Sequence, residues 1–201
     1  MEEELEHYYV ENPKSKYVEH TILAKIGRFD LTFKSASGVF SSREIDGASK
    51  LLIEKAELPH SGKILDLGCG YGMIGIVAAK ACKDCFVVLT DINKRAVKLA
   101  HRNLKLNKVK NAEVRQGNVY ESVKGEKFDT ILLNPPITAG RKVVMQMLTE
   151  APEYLNKGGS LQIVARKTKG GEFLFGEMEK IFSETKVLAK SGGFWVVKGV
   201  K

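Results

Sequence analysis

The chain has 201 residues, enough for one domain burying roughly 70% of its unfolded surface, so its core needs no disulfide staples. Hydrophobic residues make up 43% and charged residues 28%, an ordinary globular balance, and nothing approaches the ~18 apolar residues of a membrane span. Lys and Arg outnumber Asp and Glu by 32 to 24, and the resulting +8 suits a polyanionic partner such as nucleic acid, although lysine-rich surfaces also serve solubility.

The first residues, Met1 to Pro13, are acidic and lack the apolar stretch of a signal peptide. The cytoplasm is therefore the expected compartment. Residues 1–16 read as an irregular or weakly helical lead-in. From Tyr17 to Ala36 the apolar residues alternate around a Gly27-Arg28 turn, which predicts a β-hairpin. A loop, Ser37 to Ser42, follows. Glu44 to Leu58 carries Ile45, Ala48, Leu51, Leu52 and Ala56 at helical spacing, and Pro59 is expected to stop that helix.

Strands and helices then alternate. Strand 63–67 leads to helix 72–82, and strand 86–90 to helix 93–106. Strand 112–116, a connection and strand 128–133 come next. Helix 141–156 is predicted to end on the glycine stop Lys157-Gly158-Gly159. Strand 160–165, helix 171–182 and strands 185–190 and 194–199 complete the chain. Val87-Val88-Leu89 and Ile131-Leu132-Leu133 are continuously apolar, as in strands covered on both faces. The pattern is a doubly wound α/β sheet with right-handed crossovers. Lys190 to Gly193 is too short for a crossover helix, so the last two strands must be antiparallel.

Cys82 and Cys85 form a CxxC, but no second pair follows to complete a zinc site, and the motif sits where a helix should end rather than begin. Two unremarkable half-buried thiols, at most occasionally bridged, are expected, and no metal. Cys69 reads as a small residue that fits a turn.

That turn is the chemically informative stretch. Ile64-Leu65 ends on Asp66, and Gly68, Gly70 and Gly72 precede another apolar run. A buried strand, a tight turn and a helix start are implied, with glycines where φ is positive or where backbone approaches a ligand. Two frames compete. Gly70, Gly72 and Gly75 fit GxGxxG, the dinucleotide fingerprint. Asp66 to Gly72 fits DxGxGxG, the nucleoside-binding turn of class I S-adenosylmethionine-dependent methyltransferases. Asp91, ending the second strand, serves either as a ribose ligand. Asp66 would repel a pyrophosphate but suits the methionine ammonium, directly or through water. The antiparallel last hairpin also favours the second frame.

Asn134-Pro135-Pro136-Ile137 decides between them. It ends the fourth strand, on the rim where such sheets bind ligands. A conjugated amine is a poor nucleophile because its lone pair is delocalised. The Asn134 side-chain oxygen and the Pro135 carbonyl can accept both of its N–H bonds, favouring a pyramidal nitrogen as charge develops. Proline fixes the carbonyl's direction.

With these residues in view, the chain resembles the small-domain class I methyltransferases related to ribosomal RNA small subunit methyltransferase C, which act on guanine N2. It is most similar to their single-domain archaeal members. Gly38-Val39-Phe40-Ser41 resembles that family's GVFS loop, Asp66 to Gly72 its cofactor motif, Asn134-Pro135-Pro136 its catalytic motif, and Ala139-Gly140 the turn after it. The resemblance implies a Rossmann-like seven-stranded sheet over 43–201, preceded by an extension and hairpin over 1–42. It implies S-adenosylmethionine held by Asp66, Gly68, Cys69, Gly70, Gly72, Asp91, Ile92, Asn118, Val119 and Asn134. Ile137 replaces the aromatic residue common in that position, and Asn118 an adenine-contacting Asp. Phe40 is a candidate to sandwich the base with Ser41 beside it, or else it packs the hairpin. Arg141 and Lys167, with Lys142, Arg166 and Lys169, are candidates for RNA phosphates. The implied activity is methylation of an exocyclic amine in RNA, guanine N2 of ribosomal RNA foremost, by a monomer or homodimer. Glutamine-amide methylation of a protein, adenine-N6 methylation and an NAD-dependent oxidoreductase are the rivals.

Overall fold

A computed structural model describes residues 8–201 of the chain. The expected lead-in falls partly outside them, and its described part is irregular. Strands β1 (Glu19–Ile26) and β2 (Phe29–Ala36) pair antiparallel around Gly27-Arg28 without a break in register. Ile22, Ile26, Leu31 and Phe33 are buried on one face, while Leu23 on the other is 78% exposed. That is the alternation read from the sequence.

Helix α1 (Gly47–Lys55) is shorter than predicted at both ends. Asp46 caps it by accepting the Ser49 amide, which fixes the start, and Ala56 turns to extended backbone before Pro59 is reached. The remaining elements build one sheet. They are β3 (Gly62–Leu67), α2 (Met73–Ala81), β4 (Cys85–Asp91), α3 (Lys94–Leu106), β5 (Ala112–Gln116), β6 (Phe128–Leu133), α4 (Arg141–Thr149), β7 (Leu155–Arg166), α5 (Glu172–Ile181), β8 (Glu184–Ser191) and β9 (Phe194–Val200). The strand order is β5-β4-β3-β6-β7-β9-β8, and β9 alone runs antiparallel to its neighbours. The doubly wound sheet with an antiparallel last strand is thus present.

Alternate residues of the central strands feed two cores. Ile64, Val87, Leu89 and Leu132 pack with α1 to α3 and the hairpin. Leu65, Val88, Ile131 and Leu133 pack with α4 and α5. Each such fully buried aliphatic side chain contributes about 1.5–3 kcal/mol.

Three boundaries differ from expectation. Pro152 cannot donate to a continuing helix, so α4 stops at Thr149 and a 3-10 turn, Ala151–Tyr154, follows. Leu155 already pairs with Phe128, and Lys157-Gly158-Gly159 forms an irregularity in the ladder before Ser160 meets Thr130, not a helix stop. A π-helical turn, Lys167–Gly171, precedes α5. The cysteine expectation is also corrected. Cys82 and Cys85 are both buried and joined by a disulfide across the α2–β4 connection.

Two features of this fold position a site. Sheet order reverses between β3 and β6, where Leu67 pairs with Leu133, so Gly68 and Asn134 leave the sheet side by side. The hairpin is held to α3 by side-chain amides. Asn103 and its fourth neighbour Asn107 each donate to and accept from the β2 backbone at Lys34 and Thr32, at 2.7–3.1 Å. These amides cover the open strand edge. Asn103 also donates to the Tyr71 carbonyl at 2.8 Å, tying the hairpin to the glycine turn.

Candidate active site

A cavity of about 260 Å³ opens at the C-terminal ends of β3, β4 and β6. Its base is the glycine turn. Gly68, Gly70 and Gly72 have φ of 74°, 56° and 94°, which L side chains rarely adopt. The amides of Gly68 and Cys69 both donate to the Thr90 carbonyl, at 2.8 and 2.9 Å, docking the turn onto β4. A Cβ at Gly68 or Gly70 would meet nothing within 4 Å, so these two positions leave open space for a ligand. A Cβ at Gly75 would lie 2.5 Å from the Leu89 side chain, so that glycine serves helix packing.

Two carboxylates hold the turn. Asp91 accepts from the Gly70 amide with one oxygen and from the Asn93 amide with the other, each at 2.8 Å. Burial raises its pKa, against the pull of those amides. A carboxylate has about four acceptor sites, so capacity remains for a ligand hydroxyl. Asp66 accepts from the Gly75 amide at 2.8 Å, and its Oδ1 is buried with no partner. It is 1% exposed and lies beneath the cavity rather than on its lining. Burial pushes its pKa up to about 7, with the Gly75 amide opposing and the Asp91 charge adding. The orphaned oxygen, the open glycines and the ligand-facing Asp91 fit a small cationic nucleoside. They do not fit a pyrophosphate, because Asp66 already occupies the Gly75 N–H at the helix start. Burial raises the pKa of the Cys69 thiol, so this lining residue stays neutral.

Ile92 and Val119 also line the cavity. Val119 has φ of 49°, uncommon for a β-branched residue and costing about 1–3 kcal/mol. Such strain on a pocket wall is a mark of a site under constraint. Asn118 does not reach the lining. Its Oδ1 accepts from the Tyr9 hydroxyl at 2.7 Å, a donor kept protonated because burial and Asp91 push its pKa up to about 12. Gly72 is likewise behind the lining, packed near Ala100 and Leu89.

Opposite the turn stand Asn134, Pro135, Pro136 and Ile137. The Asn134 amide nitrogen donates to Asp46 Oδ2 at 3.1 Å and to Ser49 Oγ at 2.8 Å. A carboxylate only accepts, so the nitrogen must face Asp46. That leaves Asn134 Oδ1 without a partner among the described residues, and the Pro135 carbonyl has none either. Two uncommitted acceptors therefore sit together at the cavity. Ile137, 53% exposed, begins a 3-10 turn at the rim.

Phe40 lines the cavity and packs against Tyr8, ring centroids 5.0 Å apart. Ser41 does not line it; its φ is 50° and its hydroxyl donates to the Glu44 carbonyl at 2.7 Å. Arg141 lies over the Phe173 ring, and Lys167 pairs with Glu172 at 3.3 Å and faces Trp195. Both stand outside the cavity. Beside them Arg166 covers Phe194, which does line it.

Tyr8, Tyr9, Asp46, Ser49 and Phe194, none of them expected from the sequence, also line the cavity. A tyrosine pair in a polar lead-in was a signal. Asn93 fastens that lead-in by donating to the Tyr8 and Gly38 carbonyls, at 3.0 and 2.8 Å. Arg95 reinforces it through Ser15 and Pro13. Among the described residues no cluster of three or more His, Cys, Asp or Glu could hold a metal.

The family model described as "Methyltransferase small domain" matches residues 30–198. An uncharacterized protein of Bacillus subtilis (strain 168), YbxB, is 39% identical over 198 residues, 98% of each chain. Ribosomal RNA small subunit methyltransferase C of Haemophilus influenzae (strain 86-028NP) is 37% identical over 171 residues, 83% of this chain and 50% of its own. The present chain thus spans about half the length of relatives with that name. The solved T. thermophilus 16S rRNA N2 G1207 methyltransferase (RsmC), in complex with AdoMet and guanosine, superposes with a TM-score of 0.78 at 26% identity, over 94% of this chain and 52% of its own.

Proposed function

The chain belongs to the methyltransferase small-domain family, and from that membership we propose that it uses S-adenosylmethionine to methylate an exocyclic amine in RNA, namely guanine N2 of ribosomal RNA. The observation that carries this reading is the Asn134 amide, turned by Asp46 and Ser49 so that its oxygen joins the Pro135 carbonyl as a free acceptor.

The backbone of Gly68 and Gly70, with Asp91, Ile92 and Val119, would hold the cofactor, which supplies a methyl group activated by sulfonium. Asn134 Oδ1 and Pro135 O take the two N–H bonds of the target amine. These bonds strengthen as positive charge grows on nitrogen, so they stabilise the transition state more than the ground state. No strong base is needed, because the alkylated nitrogen is acidic enough to lose its proton to water. The cavity walls align acceptor and donor, which can be worth about 7–11 kcal/mol of barrier in favourable cases. A net charge of +8 and the cationic rim at Arg141, Arg166 and Lys167 support an RNA substrate. The names of the relatives support ribosomal RNA and guanine N2.

Incubation with labelled S-adenosylmethionine and total RNA from the source organism, followed by nucleoside analysis, tests the reading. Label in N2-methylguanosine is expected. Label in a protein, with none in RNA, overturns it.

A further inference from the structure

Asp46 occupies an unusual place. It caps α1 through the Ser49 amide at 2.7 Å, and the same oxygen, Oδ2, accepts from Asn134 at 3.1 Å. Its other oxygen, Oδ1, has no protein partner among the described residues, and Asp46 lines the cavity next to the two acceptors meant for the target amine. The cavity therefore carries three acceptor groups on one wall: Asn134 Oδ1, Pro135 O and Asp46 Oδ1. The third is more than the amine can satisfy, because an amine bonded to a ring has two N–H groups.

We infer that Asp46 is a specificity-determining residue that accepts the N1–H of guanine. The inference rests on the functional reading above and deepens it. Among conjugated amines of biological acceptors, adenine N6 adjoins the N1 lone pair, cytosine N4 adjoins the N3 lone pair, and a glutamine amide adjoins its own carbonyl oxygen. Each would turn an acceptor toward the Asp46 carboxylate, leaving both unsatisfied and repelling. Guanine alone of these places a donor, N1–H, beside the amine to be methylated. A carboxylate beside an Asn-Pro pair thus selects guanine by rejecting its rivals as well as by binding it. Sites built to bond one edge discriminate strongly against an analogue that lacks the donor.

Asp46→Asn isolates this role. Asparagine is an equally good helix cap, so α1 keeps its start. Its amide oxygen must occupy the Oδ2 position, since both the Ser49 amide and the Asn134 nitrogen donate there. Its nitrogen then replaces Oδ1, and the cavity presents a donor where it had an acceptor.

The wild type and Asp46→Asn are each incubated with labelled cofactor and total RNA. Their S-adenosylhomocysteine-loaded forms are titrated with guanosine and with 2-aminopurine riboside, which keeps the 2-amino group but has a lone pair at N1. The variant is expected to lose roughly 10- to 100-fold in N2-methylguanosine formation with cofactor affinity unchanged. The wild type should prefer guanosine, and the variant 2-aminopurine riboside. A purely structural role for Asp46 would lower activity without reversing that preference. A variant that forms N2-methylguanosine at the wild-type rate overturns the inference, as does a wild type that does not prefer guanosine, while the functional reading stands. Wild-type label in N6-methyladenosine or in protein overturns the functional reading and this inference together.

Discussion

The cavity has two halves that are built on different principles. The half under β3 and β4 is made of backbone. Its glycines sit at positive φ, its amides are docked on Thr90, and its carboxylates Asp66 and Asp91 brace the turn through backbone amides. The half around Asn134 is made of side chains from distant segments, with Asp46 and Asn134 separated by 88 residues. The first half is a backbone shape braced by carboxylates, and the second is a set of acceptors turned toward the cavity by side chains. One follows that changes in the first should act on cofactor affinity and changes in the second on turnover.

Asn134→Ala separates the two halves most strongly. It removes one of two acceptors that act as charge develops, so kcat should fall on the order of 10²- to 10³-fold. Cofactor affinity, measured by calorimetry, should stay within about two-fold, because the glycine turn is untouched. A large loss of affinity would show that the halves are not separate.

Gly70→Ala tests the other side. Its φ of 56° costs a non-glycine residue about 1–2 kcal/mol, and its methyl group would project into the space left open for the ligand. Cofactor affinity should fall by about ten-fold or more, while kcat at saturating cofactor stays near wild type. An unchanged affinity would place the ligand elsewhere.

The same division explains what was legible in the sequence. Asp66 to Gly72 is one contiguous turn whose glycines each answer a local constraint, so spacing alone revealed it. The doubly wound sheet is legible in its continuous apolar runs, and its antiparallel end in the short Lys190 to Gly193 link, whereas the order of the strands is recorded in neither. Asp46 and Ser49 carry no mark in the sequence beyond cap residues near a helix start, because nothing local records that they face Asn134. Asn118, an adenine contact by resemblance, stays off the cavity lining, where Tyr9, from the far end of the chain, takes its oxygen. The helix expected over 141–156 runs too far because the glycines at 158 and 159 resemble a stop, whereas Pro152 acts first. Nor did the CxxC spacing by itself decide that Cys82 and Cys85 are bridged.

Asp66 gives a subtler probe of the backbone half. Its pKa in the fold, about 7, stands above the ordinary 3.8. The unfolded chain therefore loses this proton first as pH rises, and the fold keeps it longer. Its contribution to stability falls between about pH 4 and 7 and is constant above that. A ligand ammonium favours the ionised form, so cofactor affinity should rise a few-fold from about pH 6 to 8 and level off. Asp66→Asn should flatten the profile. A wild-type affinity independent of pH over that window would mean that Asp66 serves only to hold Gly75.

The smallest effect belongs to the rim. Ile137 is 53% exposed, and under the proposed function it would offer the target base only an apolar edge. Ile137→Tyr would add a ring where the cavity opens, and an aromatic stack is worth about 0.5–1.5 kcal/mol beyond its buried area. The Michaelis constant for RNA should drop about two- to ten-fold, with kcat and cofactor affinity unmoved. Because the side chain is exposed, folding should tolerate the change, so the measurement reads binding and not stability. A fall in kcat would instead mean that the added ring displaces the amine from Asn134 and Pro135. The rim would then belong to the catalytic arrangement and not merely border it.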